Sequence, residues 1–465
     1  MKSKKSLPPP KNARELALFV LIEVEEKKAY SNLQLKHALA GKEWDPRDVN
    51  LTTELVYGTL SRLNTLDWMI SHYLSKPASK LENWVNWLLR ISFYQLTYLD
   101  RIPSRAVVHE GVEIAKRWGH KGISGMVNGV LRNRLRNPEK TEIPAGLPPV
   151  TRISLEYSHP EWLVKKWIEE FGVEETEQMC EENNFPPEIN LRTNALKGTR
   201  EELLETIKEQ LPKAYVQPSK LTPMGVVLSE SGNIGQLTAY LEGLCTVQDE
   251  SSMLVGDALS PFSGMKVLDV CAAPGGKSTH IAEKMNNQGT VLSMDIHPHK
   301  LKLIEENGKR LGISIIETRA GDAREVDRIL TGETFDRILV DAPCTGLGVI
   351  RRKPDIRWAK TEKDEEIHRI QYDILCSAAS LLKPDGKLVY STCTVQREEN
   401  QDVIQRFLQE HPHWELDSTL VHDLPVLIGE KYATLKNGYV QILPHHFHSD
   451  GFFIARLKRK SGTRD

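Results

Sequence analysis

The chain has 465 residues, 40% of them hydrophobic and 27% charged, and its formal net charge is −2 at pH 7. This length predicts about three domains, and the composition excludes a collagen-like, disordered or disulfide-dense protein. No uncharged apolar stretch reaches the roughly 18 to 20 residues of a membrane helix, and the lysines near the N-terminus precede no apolar run of a secretory signal.

The six cysteines lie far apart along the chain, and no C-x-x-C pair occurs among them. This spacing argues against a structural zinc site and against a disulfide framework. We therefore expect a cytoplasmic enzyme whose free thiols are available as nucleophiles. We expect a monomer without a bound metal, and we interpret the scattered histidines as structural because no ligand spacing connects them.

Residues 1–140 have apolar side chains at helical spacing and predict an all-α bundle. The stretch Leu88 to Tyr98 is apolar on nearly all sides, so its helix should be central. Residues 101–140 contain nine basic and three acidic side chains. Such a concentration can give a near-neutral protein one basic face for nucleic-acid phosphates, although solvated helix faces would produce the same count.

The rest of the chain is predicted to form two further domains. Residues 141–255 begin with a proline-rich linker and then alternate helical spacing with short strand-like runs, which predicts a small α+β domain. In residues 256–465, short runs rich in Val, Ile and Leu alternate with amphipathic helices, the pattern of a Rossmann-like α/β domain with a mostly parallel sheet. Its strands are expected at 266–270, 291–295, 313–318, 337–341 and 387–391, followed by an antiparallel edge pair at 440–443 and 451–457.

An acidic residue stands at the carboxyl end of each of the first four of these strands, where such sheets bind ligands. The first strand leads into a glycine-containing turn at a helix start, which lets a ligand approach the backbone. Asp295 lies 19 residues beyond Gly276, the offset at which a carboxylate takes ribose hydroxyls. Such acids suit a cationic, ribose-bearing ligand, and S-adenosylmethionine carries a sulfonium, an amino group and an adenosine.

A phosphate-binding P-loop is the competing interpretation of this turn, because the sequence Gly276-Lys277-Ser278 ends such a motif. The motif requires a glycine where Cys271 stands. Pro274 also removes a backbone N–H that a phosphate cradle would use. A nucleotide triphosphatase is therefore disfavoured.

Two cysteines follow adjacent strands, Cys344 after the fourth and Cys393 after the fifth. A single cysteine is usually a small buried hydrophobe, but two at neighbouring strand ends should face one cleft. Beside a methyl donor, a thiolate can add to carbon 6 of a pyrimidine and make carbon 5 nucleophilic. Asp341 can stabilise the ring near N3 of cytosine, and the target base must leave its stack. The spacing does not decide which thiol attacks.

Four segments resemble the Sun family of RNA cytosine-C5 methyltransferases: residues 269–277, 341–346 (DAPCTG), 351–358 (RRKPDIRW) and 391–394 (STCT). The N-terminal bundle resembles the RNA-binding fold of the antitermination factor NusB. The pairing resembles the bacterial RsmB type, which modifies one cytosine of small-subunit ribosomal RNA. The resemblance covers essentially the whole chain and is strongest from about Val247 onward.

The resemblance implies that Cys393 is the nucleophile and that Cys344 assists product release. The third expected catalytic residue is Asp341, because of its position near Cys344 in the sequence and the acid that the cytosine ring requires near N3. It also implies that a set of residues around the first turn holds S-adenosylmethionine: Cys271, Ala272, Ala273, Pro274, Gly275, Gly276, Lys277, Asp295, Asp322 and Asp341. Contacts to the backbone of ribosomal RNA are expected from six basic residues: Arg132, Arg134, Arg136, Arg352, Lys353 and Arg357.

Two alternatives stay open at this point. The same chemistry could act on transfer RNA or on large-subunit ribosomal RNA, since nothing in the local residues selects the substrate. The chain could also be a non-catalytic, antitermination-like RNA-binding protein with a decayed enzyme domain. The presence of both Cys344 and Cys393 at two strand ends argues against this second alternative.

Overall fold

The computed structural model describes residues 8–40, 43–229, 232–359 and 365–460. The described residues form two compact units, one within Met1–Phe185 and Ile350–Glu362 and the other within Pro186–Val349 and Lys363–Asp465. Within the described ranges, no helix is long and apolar enough to cross a membrane.

The helices, numbered in chain order, have the following bounds: α1 Ala13–Lys27, α2 Ser31–Leu39, α3 Pro46–Ser61, α4 Leu63–Ser71, α5 Asn83–Tyr98, α6 Ser104–Trp118, α7 Lys121–Arg136, α8 Pro149–Glu156, α9 Glu161–Phe171, α10 Val173–Glu182, α11 Arg200–Gln210, α12 Thr238–Leu241, α13 Glu250–Leu259, α14 Gly276–Lys284, α15 Pro298–Leu311, α16 Val326–Ile329, α17 Ile356–Ala359, α18 Glu365–Ala379, α19 Gln401–Glu410, α20 Val426–Lys431 and α21 Pro444–Phe447. The strands are β1 Ile189–Thr193, β2 Tyr215–Pro218, β3 Gly225–Ser229, β4 Cys245–Val247, β5 Lys266–Asp269, β6 Thr290–Asp295, β7 Ile316–Ala320, β8 Phe335–Asp341, β9 Leu382–Thr392, β10 Trp414–Leu416, β11 Tyr439–Ile442 and β12 Phe452–Arg459.

The first unit is a bundle of helices, as the apolar spacing predicts. Its core contains fully buried side chains from α1, α3 and α5, among them Leu18, Leu55 and Phe93. Burial of each such side chain contributes about 1.5–3 kcal/mol to the stability of the folded state. Packing against the core therefore stabilises these helices more than helix propensity does. The central position predicted for the stretch from Leu88 to Tyr98 is confirmed, because most of α5 is buried.

A segment that follows β8 in the sequence, residues 350–359, belongs to this first unit. Arg357 lies within it, and its guanidinium is fully buried and donates to the carbonyl oxygens of Ser158 at 2.9 Å and Asn183 at 3.1 Å. Burial lowers the pKa of Arg357 to about 9. The expectation that Arg357 contacts the RNA backbone is therefore wrong in this structure, because its side chain is fully buried and its terminal nitrogens donate to backbone carbonyls inside the unit.

The second unit begins with a small antiparallel sheet of strand order β2-β3-β1-β4. Leu191 of β1 pairs with Val226 of β3, and both side chains are buried against α11 and α12. A capping box starts α11, since Thr199 accepts from the backbone of Glu202 and the Glu202 carboxylate accepts from the backbone of Thr199. The predicted α+β character of this region is confirmed.

The large sheet of the second unit has the order β10-β12-β9-β8-β5-β6-β7, and β11 pairs with β12. Strands β5 to β9 are parallel, and the chain order reverses between β5 and β8. The Rossmann-like prediction is confirmed, and the reversal places a ligand cleft at the carboxyl ends of these two strands. The predicted antiparallel pair β11 and β12 is present, but β12 lies inside the sheet, between β9 and β10, with Phe453 and Ile454 fully buried.

Candidate active site

The loop between β5 and α14 exposes its backbone at the start of the helix. Gly275 has a φ of +101°, which favours glycine, and a Cβ on it would lie 3.0 Å from the Cα of Ile304. Around Gly276, a Cβ would meet no atom within 4 Å. This loop therefore leaves open space at the positive end of α14, where a ligand can reach the backbone.

Arg192 of β1, a strand of the small antiparallel sheet, contacts the loop between β5 and α14. Arg192 is fully buried, donates to the carbonyl oxygen of Gly276 at 2.8 Å and forms an ion pair with Glu283 at 2.8 Å. Sequence reasoning missed this arginine, because Gly276 and Glu283 lie 84 and 91 residues away along the chain. A buried charge is stable only when paired and hydrogen-bonded, so Arg192 fixes the orientation of the first turn of α14.

The structure brings the acids predicted at four strand ends around one loop. Asp269 is fully buried, accepts from Ser278 Oγ at 2.7 Å, and has no partner for its Oδ1 among the described residues. Burial raises the pKa of Asp269 to about 7. Burial also raises the pKa of Cys271 well above its usual value, reinforced by the negative charge of the four surrounding carboxylates: Asp269, Asp341, Asp295 and Asp322.

Two of these acids already make local contacts. Asp295 is 8% exposed, and its Oδ1 accepts from the backbone N–H of His297 at 2.9 Å. Asp322 caps the turn that follows it and pairs with Arg324, whose hydrogen bond lowers the pKa of Asp322. Asp295 therefore offers a nearly buried and pre-oriented acceptor, whereas Asp322 would have to share its carboxylate with Arg324.

The sulfur atoms of Cys344 and Cys393 lie 3.2 Å apart, and both side chains are partly accessible. The hydrogen bond between them raises the pKa of Cys344 well above its usual value and lowers the pKa of Cys393. Burial opposes ionisation of Cys393, but the nearby ammonium of Lys277 favours it. Either sulfur can donate in this contact, but the ammonium of Lys277 acts on Cys393. Because the thiolate is the nucleophilic form of cysteine, this nearby positive charge makes Cys393 the thiol better suited to attack.

Lys277 and Asp341 form an ion pair beside the two thiols. Lys277 Nζ lies 2.8 Å from Asp341 Oδ2, and Ser391 Oγ donates to Asp341 Oδ1 at 2.8 Å. Burial disfavours the ammonium, yet the charge and hydrogen bond of Asp341, together with the negative charge of Cys393 and Asp269, outweigh burial and raise the pKa of Lys277. The pair therefore keeps a proton close to Cys393.

The carboxylate of Glu399 joins the loops that carry the two cysteines. It is fully buried and accepts from the backbone N–H of Thr345 at 2.9 Å, from Thr345 Oγ1 at 2.5 Å and from Gln371 Nε2 at 3.0 Å. Thr345 Oγ1 in turn lies 3.0 Å from Thr394 Oγ1, next to Cys393. Sequence reasoning missed Glu399, because a glutamate six residues after Cys393 and beside a second glutamate looks like surface charge.

We expect Glu399→Ala to lower the free energy of unfolding by about 3 kcal/mol or more, because each buried donor left without an acceptor costs about 1–3 kcal/mol. Urea unfolding of the two proteins measures the difference. Glu399→Gln is the matched control, since it keeps the volume and one acceptor oxygen and should lose less. Equal stability of wild type and Glu399→Ala would contradict a role for Glu399 in joining the two loops.

The remaining basic residues of the sequence prediction lie in the first unit. On α7, Arg132 and Arg136 are exposed and Arg134 is half-buried. In the segment 350–359, Lys353 is exposed, with its Nζ 6.0 Å from the ring centroid of Tyr30, and Arg352 is half-buried. These five residues stay predictions as RNA contacts.

Three family models match successive parts of the chain. The NusB family matches residues 11–136, a ferredoxin-like domain of RsmF/B-like methyltransferases matches residues 159–235, and the 16S rRNA methyltransferase RsmB/F family matches residues 257–458. The order of the three matches follows the order of the bundle, the small antiparallel sheet and the large parallel sheet.

Individual proteins are similar over nearly the full length. The chain is 47% identical to the probable ribosomal RNA small subunit methyltransferase B of Bacillus subtilis, over 97% of this chain and 99% of that protein. It is 36% identical to ribosomal RNA small subunit methyltransferase B of Klebsiella pneumoniae, over 97% and 98% of the two chains. A crystal structure of a methyltransferase homologue from Pyrococcus horikoshii covers 68% of this chain and all of its own, with a TM-score of 0.57 and 27% identity.

Proposed function

Because the chain belongs to the RsmB/F family of 16S rRNA methyltransferases, we propose that it transfers a methyl group from S-adenosylmethionine to carbon 5 of a cytosine in 16S ribosomal RNA. The observation that carries this proposal is the pair of sulfur atoms, Cys344 and Cys393, 3.2 Å apart beside the Lys277–Asp341 ion pair. Methylation of a nitrogen or a hydroxyl needs no thiol, whereas carbon 5 of a pyrimidine becomes nucleophilic only after a nucleophile adds to carbon 6.

The residues around the first loop fit S-adenosylmethionine. The unpartnered Oδ1 of Asp269 and the surrounding carboxylates suit a ligand with a sulfonium and an ammonium group. Asp295 would accept hydrogen bonds from the ribose hydroxyls, and the open backbone at Gly276 leaves room for the amino-acid end. When bound, this cofactor supplies the electrophilic methyl group.

In the addition step, the Cys393 thiolate forms a bond to carbon 6 of the flipped cytosine, and the electrons of the C5–C6 double bond move toward N3. The Lys277–Asp341 pair would place a proton at N3 and so stabilise the charge that develops on the ring. Carbon 5 is then an enamine carbon and can take the methyl group. Ser391, which donates to Asp341, holds the carboxylate in position for this transfer.

In the elimination step, the proton on carbon 5 leaves, the double bond re-forms and the Cys393 thiolate is expelled. Cys344 is the nearest thiol, at 3.2 Å from Cys393. In the free enzyme, the hydrogen bond with Cys393 and burial both raise the pKa of Cys344, and bonding of Cys393 to carbon 6 removes the first of these two effects. Cys344 can then lose its own proton to solvent and accept the one from carbon 5, while N3 returns its proton to the Lys277–Asp341 pair, so that the reaction releases one proton overall.

The experiment that tests this proposal is bisulfite sequencing of 16S, 23S and transfer RNA from a deletion strain. We expect one cytosine of 16S RNA to lose its protection from deamination, and a plasmid carrying the wild-type chain, but not Cys393→Ala, to restore it. A lost site in 23S or transfer RNA would assign the chemistry to that substrate instead. No changed cytosine in any of the three would favour a non-catalytic RNA-binding protein.

A further inference from the structure

The chain leaves the large sheet immediately before the residue that carries the attacking thiol. Thr392 ends β9, and its pairing with Phe453 is the last one between β9 and β12 at this end. Cys393 lies outside this ladder, and its carbonyl oxygen accepts from the backbone N–H of Gly348 at 3.0 Å. Buried backbone groups need partners wherever a ladder ends, so the position of the nucleophile depends on contacts made outside the sheet.

Asn400 supplies such contacts on both sides of Cys393. Its side chain is fully buried, its Oδ1 accepts from Thr392 Oγ1 at 2.5 Å, and its Nδ2 donates to the carbonyl oxygen of Thr394 at 3.1 Å. Because a carbonyl oxygen can only accept, the amide nitrogen must face Thr394 and the amide oxygen must face the Thr392 hydroxyl. One side chain therefore connects the residue before the nucleophile with the residue after it.

Gln441 of β11 holds Asn400 in turn. Asn400 Nδ2 donates to Gln441 Oε1 at 2.7 Å, and Gln441 Nε2 donates to the carbonyl oxygens of Thr394 at 3.3 Å and Phe452 at 3.2 Å. Buried polar networks whose groups are satisfied make their surroundings rigid. Asn400 and Gln441 belong to none of the loops assigned above to S-adenosylmethionine, so this network acts on the thiol side of the site.

We propose that Asn400 is a positioning residue that holds the backbone of Cys393 so that its sulfur is directed at carbon 6 of the bound cytosine. The identity of the base rests on the proposed function. Bond formation requires the reacting atoms to lie about 3–3.5 Å apart and aligned, and a displacement of about 1 Å can lower the rate by about 100-fold. The hydrogen bonds of Asn400 go to Thr392, Thr394 and Gln441, so it acts through the chain on either side of the nucleophile.

The first test measures methylation of 16S RNA from the deletion strain by the full-length chain. We expect Asn400→Ala to lower kcat by about 100-fold, while KM for RNA and Kd for S-adenosylmethionine stay close to wild type. Thr392→Val keeps the shape but removes the hydroxyl donor and should also lower kcat, whereas Thr392→Ser restores the hydroxyl and should recover it. Thr65→Val is the matched control in the first unit, because Thr65 is buried and donates to the carbonyl oxygen of Leu155 at 2.6 Å. It should lose stability without losing kcat.

The second test follows the thiol without RNA. The hydrogen bond with Cys344 and the nearby ammonium of Lys277 lower the pKa of Cys393, so displacement of its sulfur should return this pKa toward the usual value. We therefore expect the midpoint of the pH profile for alkylation of Cys393 by iodoacetamide to rise in Asn400→Ala. Peptide mass spectrometry distinguishes Cys393 from the other cysteines. Thermal unfolding verifies that each variant is folded.

Three results would overturn the proposal: an unchanged kcat in Asn400→Ala, equal losses of kcat in Thr392→Val and Thr65→Val, or an unchanged alkylation profile of Cys393. If Asn400→Ala does not fold, the comparison of Thr392→Val with Thr392→Ser decides in its place. A wild-type chain that methylates no cytosine would contradict the proposed function alone, because the alkylation profiles would still report the position of the thiol.

Discussion

Replacing Cys393 by alanine is expected to abolish both methyl transfer and covalent attachment of RNA, whereas replacing Cys344 by alanine is expected to trap RNA on the protein. Without the Cys393 sulfur, no bond to carbon 6 forms, and carbon 5 stays unreactive. Without the Cys344 sulfur, 3.2 Å away, addition and methyl transfer can still occur, but the proton on carbon 5 has no nearby acceptor. The two adjacent thiols should therefore give opposite phenotypes.

A denaturing gel after incubation with 16S RNA and S-adenosylmethionine measures this difference, because a covalent adduct survives denaturation and ordinary RNA binding does not. We expect a shifted band for Cys344→Ala and none for Cys393→Ala or for the double variant. Cys376→Ala is the matched control, since this partly buried thiol lies on α18 and not at a strand end. A shifted band for Cys393→Ala would exchange the two roles. Retained activity without an adduct in either single variant would place the reaction elsewhere.

We expect Asp295→Ala to weaken the binding of S-adenosylmethionine by about 100-fold or more. Two hydrogen bonds from ribose hydroxyls to a carboxylate contribute about 1.5–3 kcal/mol each, and each 1.4 kcal/mol corresponds to a factor of about ten in Kd. The site suits such bonds, because Asp295 is only 8% exposed and its backbone contact with His297 holds the carboxylate in place. Isothermal titration calorimetry measures the affinity.

Asp295→Asn is the control for the fold of this loop, since an asparagine can still accept from His297 and can accept one hydroxyl. Its loss of affinity should lie between those of wild type and Asp295→Ala. Thermal unfolding of the cofactor-free proteins verifies that the variants are folded. Wild-type affinity in Asp295→Ala would remove Asp295 from the cofactor site and would leave the assignment of the two thiols unaffected.

Local sequence patterns were sufficient to predict the positions of most parallel strands and to identify the acidic residues at their carboxyl ends. The alternation of apolar runs and amphipathic helices predicts β5, β6 and β8 to within two residues. The observed β7 begins at Ile316 rather than 313, and the observed β9 begins at Leu382 rather than 387. Since parallel strands end at the same edge of a sheet, a residue at a strand end is placed without any knowledge of its neighbours. This is why Asp295, Asp341, Cys344 and Cys393 could be selected as candidates from the chain alone.

Contacts between distant parts of the chain could not be derived in this way. Arg357 lies in a run of basic residues that is typical of an RNA-binding segment. In the structure it is buried, and it donates to the backbone carbonyl of Ser158, which lies 199 residues away along the chain. Glu399 looks like surface charge, yet it accepts three hydrogen bonds from Thr345 and Gln371. Whether a charged side chain faces water or is satisfied inside the protein depends on which donors and acceptors the fold brings to it.

By itself, the sequence determined the helical bundle, the positions of the parallel strands along the chain and the residue types at their carboxyl ends, because periodicity and strand-end position are local properties of a chain. The tertiary structure alone decided the 3.2 Å separation of the two sulfurs, the Lys277–Asp341 ion pair, and the exposure of Arg132 and Arg136 beside the half-buried Arg134 on α7. These features depend on distances between elements far apart in sequence, and packing and the satisfaction of buried polar groups set those distances.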